Sequence, residues 1–286
     1  MLETIKKSFY ILKNNLIFIQ PLLLGLLLIM TAFSFIIGRN FFSFSKIVLL
    51  LSMFLLFIAF SAGWFYINKQ GILNYNENDS KEEIALKAVQ NFKKFFEGVG
   101  ADFLKTAGSY IILFILYAAT LYIVTKFCMS VFGEPKIIYD FPKILKASSQ
   151  AEILNYINSI TIQDKITFMS WMVIFNIAAS IVNFFIVLHF AVVSFENVNI
   201  LKSFWLALKF FFKNLLGVVA ILVVIFILYV FLNILSVLFG SNSLSFVILI
   251  ILFTIYLNYY LLLVFCFYYD KTKNNSNNRT ECIGEN

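Results

Sequence analysis

The sequence predicts an all-α, polytopic membrane protein with six transmembrane helices, and two features support this: its composition and its uncharged runs. Of the 286 residues, 61% are hydrophobic and only 13% are charged. A soluble domain has about 45–50% apolar and about 25% charged residues. A chain this apolar needs lipid as part of its solvent, so we expect it to be embedded in a membrane.

Uncharged runs define the predicted spans, because about 20 helical residues cross a hydrocarbon core of about 30 Å. The runs are 16–37, 47–68, 106–125, 166–195 and 215–269. The last run is too long for one helix, and its polar turn GSNS divides it, which brings the total to six. Strands of a membrane β-barrel would alternate apolar and polar residues. These runs are apolar on every side, so we expect helices, which satisfy their own backbone groups.

The distribution of Lys and Arg predicts the orientation of these spans. With the N-terminus in the cytoplasm, the cytoplasmic segments hold 15 of the 22 Lys and Arg residues, and the outer segments hold 7. Because cytoplasmic loops carry the Lys/Arg excess, we expect a multi-pass protein of the cell (plasma) membrane with both termini in the cytoplasm. The net charge of +7 then reflects topology, and it gives no support to nucleic-acid binding.

The stretch ILKSFWLALKFFFKNLL, residues 200–216, has the pattern of an amphipathic helix. Its apolar face holds Leu201, Phe204, Trp205, Leu208, Phe211 and Phe212, and its lysines are Lys202, Lys209 and Lys213. Such a helix lies in the headgroup region of a bilayer, where each lysine is attracted to anionic lipid by about 1 kcal/mol. The alternative is a cytoplasmic extension of the fifth span that packs on its neighbours.

Two further segments match this one: LKAVQNFKKFF at 86–96 and KKSFYILK at 6–13. Each precedes a pair of spans, which predicts a threefold repeat within one transmembrane domain, residues 1–270. The units lie near 1–67, 80–195 and 197–269. The polar, Asn-rich tail, 271–286, is expected to be disordered in the cytoplasm. The insertion 133–165 begins with GEP, which ends the third span, and its apolar positions predict a fourth interfacial helix on the outer side.

This layout, together with segments such as LKSFWLALKFFFKN, resembles a group of uncharacterised bacterial six-span integral membrane proteins. The group includes families of unknown function and the membrane domain fused to some glycerophosphodiester phosphodiesterases. The resemblance covers residues 1–270. It implies a membrane domain without known chemistry, and no active-site residue of the phosphodiesterase carries over to this chain.

Residues that carry chemistry are scarce in the predicted spans. Ionisable groups inside a membrane are functional by default, and no Asp, Glu, Lys or Arg lies inside any predicted span. His189 is either a proton relay or a helix-packing histidine, and the absence of a predictable carboxylate partner favours packing. Cys128, Cys266 and Cys282 lack the spacing of a metal site. We therefore predict no catalytic residue, no metal ligand and no cofactor.

One polar stripe stands out in the fourth span. Asn176, Ser180 and Asn183 recur at helical spacing, and Asn233 and Asn258 lie in the fifth and sixth spans. Amides in a membrane hydrogen-bond across helices for about 0.6–2 kcal/mol. The stripe is either a helix-packing surface, which is the favoured interpretation, or the polar lining of a path for a solute or lipid headgroup.

Three functions remain open on this evidence. The first is a non-enzymatic accessory or scaffolding component of the membrane, whose partners are a bilayer with anionic headgroups and another membrane protein. The alternative is a carrier or exporter of a lipid or another apolar molecule. A membrane enzyme ranks third, because the chain shows no set of nucleophile, base or metal ligands.

Overall fold

The computed structural model describes residues 1–37, 44–135, 159–239 and 243–283. Only the backbone is described at 29, 32–37, 44–47, 239, 243–244 and 274–283. The described α-helices are α1 Leu2–Asn14, α2 Ile19–Ile37, α3 Phe44–Leu73, α4 Lys81–Lys93, α5 Phe95–Phe132, α6 Ile162–Glu196, α7 Ile200–Lys213, α8 Leu215–Phe239 and α9 Ser243–Ile283. A 3-10 helix, Leu16–Phe18, lies between α1 and α2.

Five of these helices, α3, α5, α6, α8 and α9, are long and apolar enough to cross a membrane. A sixth span results if α1 and the start of α2 are counted together across their 81° bend. The described part of the chain therefore confirms an all-α, polytopic protein embedded in a membrane. The helices α5 and α6 have 38 and 35 residues, well beyond the 20 that a span needs, because charged residues at the ends of the uncharged runs continue the helices.

The bend between α1 and α2 lies at Asn15 and the 3-10 helix, and not at the proline. The backbone of Asn15 leaves the helical region, with φ −127° and ψ 39°, and its Nδ2 donates to the carbonyl of Ile11 at 2.8 Å. Pro21 is the third residue of α2. The N–H groups of a first turn have no acceptor within their helix, so Pro21 removes no hydrogen bond from α2.

The chain divides into two compact units. Unit 1 comprises 1–111 and 184–286, and unit 2 comprises 112–183. In unit 1, α1 and α8 pack on α9 and α2 packs on α3, around aromatic contacts such as Phe65 with Phe190 at 4.5 Å and with Phe265 at 6.1 Å between ring centroids. In unit 2, Trp171 Nε1 donates to the carbonyl of Gly133 at 3.0 Å. The threefold repeat predicted from the sequence stays a prediction.

Two helix ends bear on the sequence predictions. The helix α5 ends at Phe132, and Gly133 follows with φ +75°, which confirms the predicted end of this span at a glycine. The helix α9 continues to Ile283, whereas composition alone suggested a disordered tail from residue 271. Propagating a formed helix adds one backbone hydrogen bond per residue. The predicted fourth interfacial helix falls within 136–158, outside the described residues.

Candidate functional site

The polar stripe of α6 is exposed. Asn176, Ser180 and Asn183 all lie at the surface of unit 2. Asn176 Nδ2 donates to the carbonyl of Met172 at 2.7 Å, and Ser180 Oγ donates to the carbonyl of Asn176 at 2.7 Å. The amide of Asn183 has no hydrogen bond to any residue that the structure describes. These groups are therefore available to molecules outside the chain, and their role as lining or packing surface stays a prediction.

The other two asparagines of the predicted stripe lie in different environments. Asn233 is exposed on α8, and its Nδ2 donates to the carbonyl of Tyr229 at 2.8 Å. Asn258 is fully buried on α9, and its Oδ1 accepts from Trp64 Nε1 at 2.9 Å. The hydrogen bond between Asn258 and Trp64 joins α9 to α3. Asn258 is therefore a helix-packing residue in unit 1.

Three helices send polar side chains to the end of α6. Lys69 of α3 donates to the carbonyl of Ser194, Lys105 of α5 donates to Asn197 Oδ1 at 2.5 Å, and the hydroxyl of Tyr268 on α9 donates to Glu196 at 2.6 Å. The last carbonyls of a helix lack partners within the helix and carry partial negative charge. Cationic donors at this end stabilise α6 and fix the chain before α7, where Asn197 has φ +47°.

A second charged contact joins α1 to α9. Lys7 Nζ lies 2.6 Å from Asp270 Oδ1. The same ammonium lies 5.2 Å from the ring centroid of Tyr269 and 5.6 Å from that of Tyr75, which are cation–π distances. This contact holds the amphipathic helix α1 against the end of the last predicted span.

A small polar cavity of about 30 Å³ lies between α1, α3 and α4. Asparagines dominate its wall: Asn14, Asn15, Asn74, Asn76 and Asn91. Asn74 Nδ2 donates to Asn91 Oδ1 at 2.7 Å, which joins α4 to the turn after α3. Burial, together with a hydrogen bond to Glu77, raises the pKa of Tyr75 to about 12, so its phenol remains neutral at physiological pH. This volume suits a group no larger than one or two water molecules.

His189 is fully buried, with Nε2 3.0 Å from Ser109 Oγ. The rings of Phe190 and Phe204 flank it, with centroids 6.0 and 6.3 Å away. No described carboxylate hydrogen-bonds or pairs with it. A hydroxyl partner and aromatic neighbours join α5, α6 and α7 around this side chain, as expected for a packing histidine.

An apolar groove of about 480 Å³ lies in unit 2. Its wall is formed mainly by α6, from Ile162 to Ile174, with Phe132 of α5. Lys165 is the one charged residue among the described residues that line it. The groove is mostly open, so a bound group would remain partly exposed, whereas small-molecule pockets bury most of the surface of their ligand.

The arrangement of helices defines the class, a polytopic α-helical membrane protein, in which some of the described polar side chains join one helix to another. Among the described residues, no group of three or more His, Cys, Asp or Glu side chains is placed to hold a metal ion. Comparison of the chain with known protein families, characterised proteins and solved structures finds no match. The resemblance to six-span bacterial membrane proteins therefore stays a prediction.

The lysines that contact helix ends were not predicted as functional residues from the sequence. Lys69 and Lys105 lie beside the predicted spans, and Lys7 lies within the first amphipathic segment. Lysines flanking an apolar run indicate a membrane boundary, but only the fold shows which carbonyl or carboxylate each one contacts. The one feature of the sequence that could have pointed to Lys69 and Lys105 was their position next to predicted spans.

Proposed function

We propose that this protein is a non-enzymatic accessory or scaffolding component of the cell membrane that binds another membrane protein through α6. One observation carries the proposal: the polar stripe of α6, with Asn176, Ser180 and Asn183, is exposed along a membrane-spanning helix. The orientation, with both termini in the cytoplasm, is part of the proposal and follows from the Lys/Arg distribution.

The depth of the stripe makes its exposure energetically significant. Asn176 lies 14 residues after the start of α6 and 20 before its end, which is about 21 Å and about 30 Å along the helix. Lipid tails offer no hydrogen bonds, and an amide without any partner in an apolar environment, as at Asn183 among the described residues, costs roughly 2–7 kcal/mol. A polar group on a partner helix would remove that cost, so the stripe favours lateral association with a protein.

Site-specific photo-crosslinking in native membranes tests this proposal. A photoreactive phenylalanine analogue at Asn176 or Asn183 is expected to crosslink to a protein, which mass spectrometry then identifies. The matched control places the same analogue at Ile177 or Ile181, which are exposed on another face of α6. Crosslinks to lipid alone at all four positions would contradict the proposal.

A carrier of a lipid or another apolar molecule is the second candidate, and the apolar groove of unit 2 favours it. The groove could accept an apolar chain, and Lys165 could contact an anionic group. Substitution of Met169, which lines the groove, by Trp would reduce the space. Mass spectrometry of lipids that co-purify with the wild-type protein and with Met169→Trp tests this function, and a carrier requires a discrete lipid that the variant loses.

A further inference from the structure

The surface of α7 has three faces. One face packs on the bundle, and the other two are exposed. Ser203 and Ala207 are fully buried against the bundle. On the opposite side of the helix runs an exposed apolar face, on which Leu201 is 69%, Trp205 66% and Phe212 67% exposed. The exposed lysines Lys202, Lys209 and Lys213 form the third face. Of the apolar residues predicted to form one face, some therefore pack on the bundle and others are exposed.

The lysine face carries net positive charge. No acidic residue occurs in α7, and none of its three lysines forms an ion pair with a described residue. Unpaired ammonium groups attract anionic phosphate or carboxylate groups, and the attraction adds along the row. The occupant of this surface must therefore combine negative charge with an apolar region directly beneath it.

The helix α1 has a similar arrangement, with one acidic residue, Glu3, in its first turn. Thr4 and Ser8 are buried, Leu2 and Phe9 are exposed apolar residues, and the exposed lysines are Lys6 and Lys13. Its remaining lysine is neutralised by Asp270. Small residues thus let α1 pack closely on the bundle, while its apolar and basic faces remain open.

Both helices contact the same end of α9. Lys7 of α1 pairs with Asp270. Phe210 of α7 packs on Phe267 and Tyr268, with centroid distances of 5.4 and 4.9 Å. Two basic amphipathic helices that are far apart in the chain therefore pack on the same stretch of α9, residues 267–270. We call the open faces of α1 and α7 the α1–α7 surface.

We propose that the α1–α7 surface is a docking surface for anionic lipids of one membrane leaflet. The apolar face lies at the level of the upper acyl chains, and the lysines contact the phosphate groups. A lipid leaflet supplies negative charge above an apolar layer along the whole length of such helices. This inference does not depend on the protein partner proposed for α6.

The helix α4 provides an internal comparison. Glu82 and Glu83 lie exposed in its first turn, and Lys87 pairs with Asp79 at 2.6 Å. Its exposed lysines, Lys81 and Lys93, are therefore balanced by acidic groups on the same helix. Although α4 is also amphipathic, its charge gives no preference for anionic lipid.

Fluorescence quenching of Trp205 tests the proposal, because this tryptophan lies on the open apolar face of α7. The full chain is placed in vesicles of equal parts phosphatidylglycerol and phosphatidylcholine, with brominated acyl chains on one lipid or the other. The signal of Trp64 and Trp171 is measured in a Trp205→Phe protein and subtracted. We expect brominated phosphatidylglycerol to quench Trp205 at least about twofold more than brominated phosphatidylcholine.

The lysines are tested by a triple variant, Lys202→Gln, Lys209→Gln and Lys213→Gln, which we expect to lose the preference. The matched control, Lys81→Gln with Lys93→Gln on α4, is expected to retain it. If the triple variant does not fold, wild-type protein in about 0.5 M NaCl gives the same test, because salt screens exposed charges. Equal quenching by both lipids, a preference that survives the triple substitution and high salt, or no quenching at all would each overturn the proposal.

Discussion

The amide of Asn258 accepts a hydrogen bond from Trp64 inside the membrane-spanning part of unit 1, and Asn233 bonds only to its own helix. Both asparagines lie within apolar runs, so the sequence alone does not distinguish their environments. Burial separates them, because only Asn258 is inaccessible. At the scale of single residues, a polar group in a span stabilises the fold when its partner belongs to another helix.

Asn258→Leu is expected to destabilise the protein by about 1–3 kcal/mol, because it leaves the part-buried indole N–H of Trp64 without its acceptor. Thermal unfolding in a mild detergent measures this change. Asn233→Leu serves as the matched control, and a change within about 0.5 kcal/mol is expected for this exposed site.

A double-mutant cycle isolates the hydrogen bond from other effects of the substitution. Trp64→Phe combined with Asn258→Leu should be less destabilised than the sum of the two single variants, by about 0.6 and at most about 1.7 kcal/mol. Strict additivity would show that the contact between Trp64 and Asn258 contributes nothing to stability.

Helices approach closely where a glycine of one faces an aromatic residue of the other. Between α3 and α5, each helix supplies one such glycine. A Cβ built on Gly63 of α3 would lie 2.5 Å from the ring of Phe95. A Cβ on Gly98 of α5 would overlap Tyr66 Cβ. Each glycine therefore accepts an aromatic residue of the other helix, which is the small-residue contact common between membrane helices.

Gly98→Ala is expected to destabilise the protein by about 1–3 kcal/mol, because the added methyl group meets the Cβ of Tyr66, which cannot rotate away. Gly100→Ala, two residues further along α5, meets nothing within 4 Å. That control should be neutral or stabilising by up to about 1 kcal/mol, since alanine favours helix over glycine. The stabilities of the two variants are compared by thermal unfolding in detergent. Equal effects of Gly98→Ala and Gly100→Ala would contradict the close contact between Gly98 and Tyr66.

The positions of the helices could be predicted from the sequence more reliably than the side of each helix that is buried. Charge-free runs marked five of the spans, Gly133 marked the end of α5, and the lysine row of α7 was visible in the spacing. The spans themselves are apolar on every side, so their periodicity does not indicate which face packs on another helix. The burial of Asn258 and the exposure of Asn176 therefore had no sequence signal.

Contacts between charged groups that are far apart in the sequence could not be predicted either, because only the fold brings them together. The pairing of Lys7 with Asp270 joins residues 263 positions apart, and the end of α6 collects donors from three other helices. The sequence showed only that lysines flank the spans. The division into units 1 and 2 also lies within the uncharged parts of α5 and α6, where composition does not change.

The charged contacts of unit 1 occur at helix ends that the Lys/Arg count assigns to the cytoplasm. These are the Lys7–Asp270 pair and the donors to the end of α6, Lys69 and Lys105. At the scale of the whole molecule, the proposed orientation, with the termini inside, would place these helix ends together on the cytoplasmic side. The opposite orientation would place most of the basic residues on the outer side.

Thiol labelling in cells tests this orientation. Cys128 and Cys266 are buried, so they should react little with a membrane-impermeant maleimide. Cys282, near the C-terminus, is expected to react only after the cells are opened. The converse variant places Gln163→Cys, exposed at the start of α6, in a Cys282→Ser background, and it should react in intact cells. Labelling of Cys282 in intact cells, with protection at position 163, would reverse the orientation and place the α1–α7 surface on the outer leaflet.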